Sequence, residues 1–129
     1  MEANLYSWRT NAHACVEPSA NGWYAECDSY AQCGVDQHYY EGYGPGGSLI
    51  DTNSPFHVKI DFKTDDSSGT PLFSGYDVIM TQEDREFIMS SSDSSICADE
   101  SYLNQMTDDI DGNMVITMSI WSPDNLEWL

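Results

Sequence analysis

Apolar and polar residues alternate most cleanly over residues 56–64. Phe56, Val58, Ile60 and Phe62 stand against His57, Lys59, Asp61 and Lys63, the period-two pattern of a strand with one buried face. Tyr76, Val78 and Met80 repeat it against Asp77, Ile79 and Thr81. Gln82-Glu83-Asp84 interrupt the alternation, so residues 85–90 read as the returning strand of a hairpin. Upstream, Gly42-Tyr43-Gly44-Pro45-Gly46-Gly47 is a turn cluster, followed by a short strand at 48–52. Residues 65–71 supply a loop between the two long strands.

Further along, the period changes. Tyr102, Leu103, Met106 and Ile110 recur at helical spacing, and Gly112 stands where a terminating glycine belongs, which predicts one modest helix over 98–111. Over 113–121 the alternation returns. Met114, Ile116, Met118 and Ile120 make an apolar face, while Val115, Thr117, Ser119 and Trp121 make a mixed polar and aromatic one. Such a strand suits a sheet that lines a groove. A last strand at 126–129 ends on Trp128-Leu129 without a polar tail, which reads as truncation. The first 47 residues read as loop-rich. About six strands, one helix and no strand–helix–strand alternation predict a single all-β domain over 1–129, an antiparallel β-sandwich.

Charge narrows the partners. The 129 residues carry 4 Lys and Arg against 22 Asp and Glu, a formal net charge of −18. So few cations do not neutralise phosphates, which argues against nucleic acid and against anionic membrane surfaces. No apolar run is long enough to span a bilayer, and the first residues show no signal peptide. Acidic chains poor in aliphatic residues are often disordered, but 4 Trp, 8 Tyr and 4 Phe point to a folded chain. The four cysteines (Cys15, Cys27, Cys33 and Cys97) contain no Cys-x-x-Cys pair, and their spacing is too wide for a zinc knuckle. Disulfide pairing is the better reading, and three connectivities are open. Secreted-type cysteines without an export signal suggest a piece of a longer protein.

Four fragments occur in order: Glu2-Ala3-Asn4, then His13-x-Cys15 with the histidine eleven residues after Glu2, then Tyr43-Gly44-Pro45-Gly46, then Met118-Ser119-Ile120-Trp121 with Leu126-x-Trp128-Leu129. Together they resemble family 7 glycoside hydrolases, the fungal-type cellobiohydrolases and endoglucanases. The resemblance spans essentially all 129 residues but a minor part of a full catalytic domain. It implies a concanavalin A-like jelly roll, incomplete here, and an extracellular, monomeric parent enzyme acting on cellulose or another β-glucan without cofactor or metal. In that family a Glu-x-Asp-x-x-Glu-Ala-Asn run carries nucleophile, helper aspartate and acid/base. Glu2 matches the acid/base, so the nucleophile is expected upstream of Met1 and the isolated chain is expected to be inactive.

The resemblance also implies a supporting role for His13, sugar stacking by Trp121 and Trp128, substrate contacts from Asn4 and Tyr39, and disulfides Cys15–Cys27 and Cys33–Cys97. The chemistry suits it. A retaining glycosidase needs two carboxyls about 5–5.5 Å apart, one of them a proton donor, and an indole face matches the C–H face of a pyranose. Where cellobiohydrolases place product-site arginines, this chain has Gly22, Tyr39 and Tyr40, which leans toward an open, endo-acting cleft. Trp8 and Trp23 read as packing residues, and His38 and His57 as surface residues. Asp108, Asp109 and Asp111 lack calcium-loop spacing. The main rival is a carbohydrate-binding sandwich that performs no cleavage. An acidic calcium-associated surface protein is a third reading.

Overall fold

The computed structural model describes residues 1–13, 33–38, 42–93, 103–112 and 118–120. The described chain is mostly β-strand, with little helix. In order come β1 (Glu2–Ala3), β2 (Ser7–Ala12), β3 (Cys33–His38), β4 (Tyr43–Gly44), β5 (Ile50–Asp51), β6 (His57–Asp65), β7 (Leu72–Gln82) and β8 (Arg85–Ser90). A 3₁₀ turn (Ser91–Asp93), helix α1 (Thr107–Gly112) and β9 (Ser119–Ile120) follow. They form a four-stranded sheet in the order β3-β2-β1-β9, a two-stranded β4-β5 and a three-stranded β6-β7-β8.

The long hairpin is where the sequence pattern predicts it. β7 is central, and Tyr76, Val78 and Met80 are buried on one face. Their register partners in β6 are Phe62, Ile60 and Val58, and Met89 and Phe87 in β8 stand opposite Val78 and Met80, so one face of all three strands is apolar. β7 turns into β8 through Glu83-Asp84, with Glu83 in the left-handed conformation (φ 56°). β6 departs from expectation in burial. Val58 and Phe62 are 36% and 42% exposed, because β6 lies at the sheet edge, where one neighbouring strand covers the row among the described residues. Phe62 leans instead on Phe73, their rings 6.0 Å apart.

One buried cluster takes Trp8 from the four-stranded sheet, Tyr43 and Ile50 from the small sheet, Phe73, Tyr76, Val78, Met80 and Met89 from the large hairpin, and Leu103 and Met106 from the segment before α1. Phe56 wedges edge-on between Trp8 and Tyr43, at 6.3 and 6.0 Å. Two tyrosine hydroxyls cross between elements: Tyr76 donates to the Thr10 carbonyl at 3.0 Å and Tyr43 to the Asn4 carbonyl at 3.3 Å.

Four expectations need correction. The first 47 residues are not merely loop-rich, since β1, β2 and β3 lie there and build most of a sheet. Pairing is mostly antiparallel, but β1–β9 and β4–β5 are parallel. Residues 98–102 of the predicted helix lie outside the described residues; Leu103 and Asn104 are helical, a turn interrupts at 105–106, and α1 continues to Gly112, which is its last residue rather than the one after it. Thr107 explains its start: the hydroxyl donates to the Asn104 carbonyl at 2.8 Å and accepts from the Phe73 N–H at 2.9 Å, anchoring the turn to β7. Met118, assigned to an apolar face, is 70% exposed, because it stands one residue before the β9 ladder begins. The strand predicted at 126–129 lies outside the described residues.

A polar sheet face around Glu2

The hairpin β1–β2 is held by Asn4. Its backbone N–H donates to the Ser7 carbonyl at 3.0 Å, and its side-chain oxygen accepts from the N–H groups of Tyr6 and Ser7 at 2.7 and 2.9 Å. A short carboxamide that bonds the backbone two and three residues on is what such a turn selects. The far side of the turn is tethered by Thr52, whose hydroxyl donates to the Leu5 carbonyl at 2.8 Å. Leu5 and Tyr6 are left exposed at the tip.

From this turn, β2 alternates. Trp8 and Thr10 are buried on the core side, the indole N–H donating to the Thr10 hydroxyl at 2.8 Å. Ser7, Arg9 and Asn11 therefore belong to the opposite face. Register extends that face across the sheet: Glu2 pairs with Arg9 and with Ser119, and Asp36 occupies the ladder position opposite Arg9. Residues opposite one another in a ladder share a face, with Cβ atoms about 4.5–5.5 Å apart in antiparallel pairs. Glu2 thus stands between Arg9 and Ser119 in a polar row. The Arg9 Nε–H donates to the Asn11 side-chain oxygen at 3.2 Å.

The adjoining turn carries the Tyr43-Gly44-Pro45-Gly46 residues. Asp51 closes it, accepting from the Gly46 and Asn53 N–H groups at 2.7 and 3.0 Å, and these two bonds hold its carboxyl below the usual carboxylate range. Gly47 admits no side chain, since a Cβ there would lie 2.4 Å from the carbonyl oxygens of Gly42 and Ile50. Gln82, buried at the end of β7, exchanges hydrogen bonds with the Asp51 backbone at 2.8 Å in each direction. The Arg85 guanidinium donates to the same Gln82 side chain at 2.8 Å. Burial pushes the Tyr43 phenol up to about 12, so it remains a donor to Asn4 across the neutral range.

Among the residues the sequence singles out, Glu2 lies in the polar row. Asn4 is buried, 7% exposed, and its side-chain oxygen serves the turn; its amide nitrogen finds no acceptor among the described residues. His13 is exposed one residue beyond the end of β2. It lies four positions past Arg9, about 13 Å along an extended strand, so register does not set it beside Glu2. Tyr39, Trp121, Trp128, Cys15, Cys27 and Cys97 lie outside the described residues, as does the Cys33 side chain. Both proposed disulfides are therefore outside them too. Among the described residues, no group of three His, Cys, Asp or Glu side chains could hold a metal ion.

Arg9, Asn11 and Ser119 are the members of the face that sequence reading passed over as site residues. The signal was present in residues 7–12, where Ser7, Arg9 and Asn11 alternate with Trp8, Thr10 and Ala12. Comparison with protein-family models, with curated proteins and with solved structures gives no match.

Proposed function

We propose that this chain is part of a retaining β-1,4-glucanase with a concanavalin A-like jelly-roll fold, acting outside the cell on cellulose or a related β-glucan, and that Glu2 is its acid/base. The observation that carries the reading is the position of Glu2. The carboxylate at the head of the Glu-Ala-Asn fragment lies on the polar face of a sheet whose other face packs into the core. A sheet with one face in the core and one bearing a carboxylate, a guanidinium and hydroxyls is the surface a glycan-binding cleft requires.

In the first step Glu2 protonates the leaving glycosidic oxygen, and in the second it takes a proton from the attacking water. The ladder position of Asp36 is two strands from Glu2, about 9.6 Å by strand spacing. A retaining pair needs about half that separation, so the reading takes its nucleophile from outside this row. His13, Asn4, Tyr39, Trp121 and Trp128 remain its proposed supporting and sugar-binding residues.

Expression with the flanking coding sequence and assay on an aryl β-cellobioside tests the proposal. Glu2→Gln should lower kcat by about 10²–10⁴, the range of a lost general acid/base. Undiminished turnover in Glu2→Gln would overturn it. Glycan binding with no turnover in either protein would instead favour the non-catalytic binding module.

A further inference from the structure

Each of three of the four cations is engaged within the fold. Lys59 pairs with Asp61 and Lys63 with Asp77, while Arg85 donates to Gln82 and lies 3.8 Å from Glu83. Arg9 is different. Among the described side chains it has no carboxylate within ion-pair distance, although its register partners are Glu2 and Asp36, the side chain of the latter lying outside the described residues. Its described contact is the bond from Nε to the Asn11 side-chain oxygen. That bond orients the guanidinium plane and leaves the Nη1 and Nη2 donors, together with the Asn11 amide donor, without partners among the described residues.

From this we infer that Arg9 and Asn11 form a binding subsite for the vicinal hydroxyls of a neutral pyranose, immediately beside Glu2. The inference rests on the glucanase reading and names what that site holds. A sugar hydroxyl both accepts and donates. Next to one another the face offers a cluster of pure donors, Arg9 Nη and Asn11 Nδ2, and an acceptor, the Glu2 carboxylate. Neighbouring hydroxyls on one ring match that arrangement, accepting from the guanidinium and the amide and donating to the carboxylate.

A uronate is the other chemistry an arginine fork grips. Charge decides against it. A polyanionic glycan would approach a chain of net charge −18 and a subsite that already contains Glu2, and one guanidinium does not offset that field. The subsite therefore selects an uncharged β-glucan segment.

Titration of the 129-residue chain with cellotetraose by calorimetry tests this, with an oligoglucuronate of the same length as the second ligand and circular dichroism as the check of folding. Cellotetraose should bind the parent sequence. Arg9→Ala and Asn11→Ala should each weaken it about tenfold, the loss of one charge-assisted or well-oriented hydrogen bond. Arg9→Lys should recover only part of the loss, since an ammonium lacks the planar fork. Unchanged binding in folded Arg9→Ala and Asn11→Ala overturns the subsite while leaving the glucanase reading in place. Absence of cellotetraose binding to the folded parent sequence overturns the subsite, while the glucanase reading stands or falls with the Glu2→Gln assay in the longer chain. Tighter binding of the glucuronate overturns the neutral-sugar assignment.

Discussion

The outward faces of the two larger sheets handle charge in opposite ways. On β6–β7–β8 the cations are matched within the sheet: Lys59 to Asp61 on its own strand, Lys63 to Asp77 on the next and to the Ser90 hydroxyl on the one beyond. On β3–β2–β1–β9, Arg9 shares its ladder row with Glu2 but spends its described hydrogen bond on a carboxamide. A face whose donors and acceptors are mutually satisfied offers a ligand little, whereas a row with donors unmatched among the described residues, beside a carboxylate, still has donors to offer. In a chain this acidic, total charge does not reveal that distinction. The placement of four cations does.

The largest effect that would break this division is in the core. Met80 has no exposed surface and lies between the register partners Val58 and Phe87. Met80→Ala should cost about 2–5 kcal/mol through lost burial and the cavity left behind, read as a fall in the urea midpoint. Arg9→Ala, on the polar face, should stay within about 0.5 kcal/mol. Comparable losses from both would mean that Arg9 belongs to the scaffold and that the two faces do not differ in kind.

A second test exploits the links between regions. The Tyr43 and Tyr76 hydroxyls both donate to carbonyls of the β1–β2 hairpin. Burial raises both phenols, Tyr43 to about 12 and Tyr76 further, against a small opposing pull from Arg9. The folded state thus favours the neutral phenol. Below about pH 10 that preference costs nothing, because the unfolded chain also keeps its protons. As pH rises beyond that, the unfolded chain ionises first and stability falls progressively through the folded values. Asp51 works at the other end: its carboxyl is lowered by the Gly46 and Asn53 N–H groups, so its contribution is present above the unfolded value of about 4 and is lost as pH falls through the lower folded one. Urea midpoints measured through the alkaline range should drop for the parent sequence and drop less for Tyr43→Phe with Tyr76→Phe. A flat alkaline profile would show that these hydroxyls do not join the regions.

The same contrast explains what the sequence made legible. β7 buries one face and Met89 of β8 joins it, so Tyr76, Val78 and Met80 imprint a period of two long enough to read. The Gly-rich turn was equally plain, because its geometry excludes side chains at Gly47. β1 is two residues long, and no alternation is visible in two residues. β2 does alternate, but its core face mixes Trp8 with Thr10 and Ala12, and its outer face needs polar residues for reasons unrelated to folding. Glu2 could be singled out only from its neighbours in the chain. Arg9 and Asn11 became visible once the register placed them in its row. The parallel partnership of β1 with β9 joins residues more than a hundred positions apart, and local pattern carries no record of such a pairing.

The smallest predicted effect sharpens the comparison most. Lys59 and Asp61 are 2.7 Å apart, but their side chains are 67% and 43% exposed. Water and salt screen such a pair, and holding two side chains in one geometry offsets much of the attraction. Lys59→Ala should therefore change stability by no more than about 0.5 kcal/mol, as little as Arg9→Ala. The two substitutions remove the same charge from the same net −18, so any long-range electrostatic effect on a ligand is shared. Calorimetry with cellotetraose then separates them by position alone. Lys59→Ala should bind like the parent sequence and Arg9→Ala should not. Equal weakening in both would trace the effect to overall charge and erase the difference between the two faces.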